Sequence, residues 1–179
     1  MARRRGEQDA AQTLQLAATL PEWAREMVLL GCHGGAGTTT LRVLLNTPWE
    51  FGAYSADRRE IATFGRPLVL VTRDNAAATA RAAEVVNNIE AGGLVPAAMV
   101  VVADGSGPEP PEATTRLRLV EARVGRLIRF PFVAGLRFVD VAEVGQVKLP
   151  KKAQQALDEI RNACFSAARG ALARQVEES

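Results

Sequence analysis

Four short runs of apolar residues punctuate the chain, and between them the period of the apolar positions changes. Met27 to Cys32, Pro67 to Thr72 and Ala97 to Ala103 are short apolar runs and Leu127 to Phe130 is a fourth strand before Pro131; without polar alternation they predict a sheet buried on both faces. Thr38 to Asn46 repeats leucine at helical spacing (Leu41, Leu44, Leu45). Asn75 to Glu90 does the same with Ala78, Ala82, Val85, Val86 and Ile89, and is closed by Gly92-Gly93. A third helix is predicted over Glu112 to Val124, after the turn-rich segment Asp104-Gly-Ser-Gly-Pro-Glu-Pro-Pro. Strands separated by helices predict a three-layer α/β fold with a mainly parallel sheet of about four to five strands.

A last helix is predicted over Lys151 to Val176, with Ala153, Leu157, Ile160, Cys164, Ala167 and Ala171 forming a narrow seam of mostly small residues. The seam suits either the sheet or a partner helix. Thr47 to Pro67 shows no regular period and holds Trp49, Phe51, Tyr54 and Phe64. Such a stretch covers something in a compact domain, either the sheet or a partner.

Composition bounds the reading without directing it. The 179 residues suit one domain; residues 1–22 are expected to be a partly flexible leading segment and residues 23–179 a single domain. Apolar residues at 47% exclude a wholly disordered chain, and a net charge of +2 is too even to announce a nucleic-acid binder. Lysine occurs only at Lys148, Lys151 and Lys152, so arginine carries the basic charge. Two distant cysteines and one histidine exclude a disulfide framework and a Cys/His zinc site. No uninterrupted apolar run has membrane-spanning length, so a cytoplasmic protein without membrane insertion is expected.

The informative segment is Gly31 to Leu41, in which His33-Gly34-Gly35-Ala36-Gly37-Thr38-Thr39-Thr40 joins a buried strand to a helix. A glycine-rich turn here points consecutive backbone N–H groups into one concavity in front of the positive helix end, and such a nest suits phosphate. In the usual phosphate loop a lysine meets the terminal phosphates and a hydroxyl holds magnesium. Thr38 stands where that lysine belongs and Thr39 where the hydroxyl belongs.

These residues resemble the loop of the ParA/MinD-type P-loop ATPases, Lys-Gly-Gly-x-Gly-Lys-Thr-Thr, at three glycines and the last two threonines. Both lysines are replaced, by His33 and Thr38. Further landmarks are similar to that family: Leu70 to Asp74 before an alanine-rich helix, Val100 to Asp104, Phe130-Pro131-Phe132, Leu136-Arg137, Ala142, Gly145 and Leu149-Pro150. The resemblance covers about Met27 to Asn46 and Arg66 to Leu172.

The resemblance implies a truncated P-loop fold whose nucleotide contacts are His33, Gly34, Gly35, Ala36, Gly37, Thr38, Thr39, Thr40 and Asp104, with Thr39 toward a metal. The cofactor it implies is ATP or GTP with magnesium, or none. Thr47 to Pro67 is too short for the strands that carry the family's catalytic aspartates, and Asp57 is assigned neither job. Three functions follow: a non-hydrolysing scaffold or adaptor, placed in DNA transfer, partition or secretion machinery; a slow ATPase or GTPase with Arg42 or Arg73 in place of lysine; and a DNA-binding module using Arg116, Arg118, Arg123, Arg126 and Arg129 with Arg3 to Arg5. A protein partner or homo-oligomer is expected. Removing the missing strands leaves Met27 to Cys32 near a sheet edge, to be covered by Trp49 to Phe64, by the segment before Trp23, or by a second subunit.

Overall fold

The computed structural model describes residues 26–57, 60–105 and 107–177. The expected leading segment before Trp23 and Arg3 to Arg5 lie outside those residues. Strand β1 is Val28–Gly31, helix α1 Thr38–Leu45, β2 Trp49–Ala53, β3 Leu68–Arg73, α2 Ala76–Ala91, β4 Ala98–Val102, α3 Pro111–Glu121, β5 Leu127–Phe130 and α4 Lys151–Glu177. Two 3-10 turns, Ala134–Arg137 and Val141–Gln146, lead from β5 to α4.

The five strands form one sheet in the order β2-β1-β3-β4-β5. Every pairing is parallel. Leu29, Leu30, Leu70 and Met99 are fully buried, as strands covered on both faces require, and each contributes about 2 kcal/mol of transfer free energy. One face packs Leu41 and Leu45 of α1 with Ala153, Leu157, Ile160 and Cys164 of α4. The other packs Ala82, Val85, Val86 and Ile89 of α2 with Leu117 and Val120 of α3. The α4 seam therefore packs on the sheet, as far as the partly buried Ala167. Helix α3 ends at Glu121, three positions short of the expected Val124.

Strand β2 is the main departure from the expected elements, because Thr47 to Pro67 contains regular structure. Its period is two: Trp49 and Phe51 pack with the α2 and α3 face, while Glu50 between them reaches Thr39 of α1. The strand is short and interrupted by a charge and by Gly52, so its alternation is weak in sequence. Thr47 Oγ1 donates to the Met27 carbonyl at 2.6 Å, and Trp49 Nε1 donates to Glu26 Oε2 at 2.5 Å. Arg66 donates to the same oxygen at 2.8 Å and stacks 4.3 Å from the Trp49 ring centroid. The aromatic segment named as one cover for β1 pairs with it, from Val28 opposite Trp49 to Gly31 opposite Ala53.

Candidate functional site

The strand order reverses once. From β1 the chain steps to β2, then crosses back over β1 to β3 and continues outward. The connections after β1 and β3 leave on opposite faces of the sheet, and the crevice that opens between their carboxyl ends is where parallel α/β sheets place ligands. Both the glycine loop and the Arg73-Asp74 corner lie at this crevice.

Two glycines give the loop its path. A side-chain carbon at Gly31 would lie 2.7 Å from Thr38 Oγ1 and 3.1 Å from the His33 carbonyl, so only glycine lets the helix start fold back over β1. Gly37 caps α1 at φ 98°, a left-handed conformation, and no side chain caps the helix end. The N–H groups of Gly34, Gly35, Gly37, Thr38, Thr39 and Thr40 therefore find no acceptor among the described residues, whereas Leu41 N–H already closes on the Gly37 carbonyl at 3.0 Å. Backbone donors so placed require water or an anion.

The residues expected to contact a nucleotide divide by environment. Gly34 and Gly35 are exposed, and Gly37, Thr39 and Thr40 are half-buried. Ala36 is only 1% exposed and belongs to the core, and Thr38 is buried. His33 spans the crevice: the Arg73 backbone N–H donates to its Nε2 at 3.3 Å, and its Nδ1 lies 2.9 Å from the Gly34 carbonyl. That pattern makes Nε2 the acceptor and puts the proton on Nδ1. His33 thus ties the loop to β3 through backbone groups.

Thr39 meets a residue that sequence reasoning did not single out. Its hydroxyl donates to Glu50 Oε1 at 2.7 Å, and Arg42 Nε lies 3.1 Å from Glu50 Oε2. Glu50 therefore stands behind the hydroxyl assigned to magnesium, with its charge already balanced by Arg42. Asp57 follows β2 by four residues and is exposed; β2 carries Glu50 and Gly52 and is not an apolar strand. No group of three or more His, Cys, Asp or Glu among the described residues is arranged to hold a metal.

Arg73 lies across the loop. Its Nε donates to the Gly35 carbonyl at 3.1 Å, and its Nη2 lies 3.7 Å from where a Gly37 side chain would begin. Of the two arginines expected to replace the lysine, Arg42 is tied to Glu50 and Arg73 faces the loop. A cleft of about 210 Å³ runs from Gly35, Gly37, Thr40, Arg73 and Asp104 to the apolar Phe130, Phe132, Val133 and Leu136. Arg137 borders it, 5.5 Å from the Phe132 ring centroid. Asp104 reaches the rim with its carboxylate turned toward Arg73 and Asn75.

Other candidates have structural partners. Arg123 pairs with Glu90 and Arg129 with Glu109, and Arg116 donates to the Ala76 carbonyl at 2.6 Å. Cys32 and Cys164 are buried, and burial pushes each thiol up to about 12. Among the described residues no helix is long and apolar enough to cross a membrane. No protein family, no curated protein and no solved structure matches the chain.

Proposed function

We propose that the chain is a phosphate-binding scaffold or adaptor of the degenerate P-loop kind, related to the ParA/MinD ATPases, that holds a phosphate group or nucleotide weakly and does not hydrolyse it. One observation carries the reading: a single cleft joins open backbone N–H groups and the Arg73 guanidinium to an apolar floor at Phe130 to Leu136. Phosphate would take the loop and Arg73, and a base would lie against the floor, with Asp104 at the rim. Arginine supplies the charge that lysine supplies in an active loop, through a planar fork suited to phosphate oxygens. Turnover needs more than charge. Phosphoryl transfer also requires a positioned nucleophile, and Glu50, one carboxylate beside the loop, is occupied by Thr39 and Arg42.

A second reading, slow ATP or GTP hydrolysis, rests on the same placement of Arg73. Calorimetric titration with inorganic phosphate, ADP, ATP and GTP, run beside a phosphate-release assay, separates the two. Weak binding without turnover is expected. Multiple turnovers abolished by Arg73→Gln would establish the enzyme instead, and no binding at millimolar ligand would remove both readings. The DNA-binding reading is not adopted, because three of the five arginines in its stretch are engaged within the protein. The partner of such an adaptor would be a protein, or a second copy of the chain.

A further inference from the structure

Arg73 is held by more than the loop. Its Nη1 reaches the Ala103 carbonyl at 3.5 Å, and Asp104 Oδ1 stands 3.6 Å from its Nε. Asp104 is itself held, by its carboxylate and by its backbone. Asn75 Nδ2 donates to Asp104 Oδ2 at 2.5 Å, and the Asp104 N–H donates to Asp74 Oδ1 at 2.9 Å. Asn75 is committed as well, since its Oδ1 caps α2 by accepting from the Ala78 N–H at 2.8 Å. Asp104 Oδ1 meets the guanidinium as a charge without a hydrogen bond, because the Arg73 Nε–H is given to the Gly35 carbonyl. Asp104 and the glycine loop line one cleft, and two anions beside one cation repel each other.

We propose that Asp104 is a built-in competitor for Arg73, an internal oxyanion that pairs with the guanidinium by charge alone until a phosphate group at the glycine loop takes it over. Asp104 thereby sets the affinity of the site for phosphate-bearing ligands. The inference rests on the phosphate-binding reading above. The exchange breaks and forms no covalent bond. Asp104 keeps its contacts to Asn75 and Asp74 throughout, so only the arginine head moves.

The test titrates inorganic phosphate and ADP into wild type, Asp104→Asn, Asp104→Ser and Asp158→Asn. Affinity is read by calorimetry and Arg73 by its Nε–H resonance. Asp158 lies on the exposed side of α4, paired with Arg161, so its substitution removes the same charge without touching the cleft. Both Asp104 variants are expected to bind the two ligands about five- to tenfold more tightly, the size of a like-charge repulsion partly screened at an open rim. Asp158→Asn should change affinity less than about twofold. In wild type, added phosphate should shift the Arg73 Nε–H resonance. Unchanged or weaker binding by both folded Asp104 variants overturns the competitor role and leaves the phosphate-binding reading intact. Equal tightening by Asp158→Asn also overturns it, in favour of a net-charge effect. No binding by any of the four proteins overturns the reading itself.

Discussion

The Thr39 hydroxyl donates to Glu50 Oε1 at 2.7 Å and so ties the first turn of α1 to the edge strand β2. With Arg42 on the other carboxylate oxygen, three side chains from two elements brace the wall behind the glycine loop. Glu50→Ala should cost about 1–2 kcal/mol, the size of losing charge-assisted hydrogen bonds at a half-buried site, read from urea denaturation. Because Arg42 balances Glu50, ligand affinity should differ by less than about twofold between magnesium and EDTA, well below the gain expected if a metal had added a charge-assisted contact. A strong gain with magnesium would show that the ion finds ligands despite Arg42.

Gly31 admits no side chain without a shift of the helix start. Gly31→Ala should destabilise by about 1–3 kcal/mol, the range for forcing an added methyl into a packed site. Thr38 Oγ1 is the nearest obstacle and the His33 and Gly52 carbonyls are further ones. The double variant Gly31→Ala/Thr38→Ala should therefore recover part of the loss and not all of it. A double variant no more stable than Gly31→Ala alone would contradict this account of the close approach.

The two thiols should be silent in the folded protein. Burial pushes Cys32 and Cys164 up to about 12, and thiol reagents attack the thiolate. At about pH 8, where an ordinary thiol is partly ionised, a colorimetric thiol reagent should detect neither cysteine before denaturant is added and both afterwards. Rapid labelling of the native protein would show that the sheet or α4 opens locally.

Acid should loosen the β5 side of the molecule. Burial raises the Glu109 carboxyl, but hydrogen bonds from Arg129 and Thr114 outweigh it and hold the group below its ordinary value of 4.5. A carboxyl lowered by folding contributes stability that is complete above the unfolded-state value and is lost as pH falls through the folded value. The loss should begin below about pH 4.5. Glu109→Gln should flatten the acid limb of a plot of urea midpoint against pH. A limb identical to wild type would place the titration elsewhere.

The sheet is largely legible in the sequence because its inner strands are continuous apolar runs. The edge strand β5 coincides with Leu127 to Phe130 because Pro131 stops it, although Arg129 interrupts its apolar run, and the apolar positions read for α2 are all buried. Strand β2 is less legible, since an edge strand buries one face and Glu50 and Gly52 break the apolar pattern. The glycine loop is legible as a local motif. The partners of its side chains are not, because they depend on which strands lie side by side: Glu50 meets Thr39 only through the parallel β1–β2 pairing, and Arg73 meets Gly35 only through β1–β3. Asp104 is named from the family resemblance as a nucleotide contact, while its contact with Arg73 requires β3 and β4 to end together.

Ala36 sits between the exposed Gly35 and the half-buried Gly37 yet belongs to the same buried core as Leu29, Val69 and Phe130. It works as a peg: the loop hangs over the crevice from a point fixed in the interior, so its open amides do not have to be ordered when a ligand arrives. A site shaped beforehand loses little entropy on binding. Its affinity is then a property of the core as much as of the loop, and a cavity cut far below it, by Ile128→Ala for example, should weaken ligand binding without removing a single ligand contact.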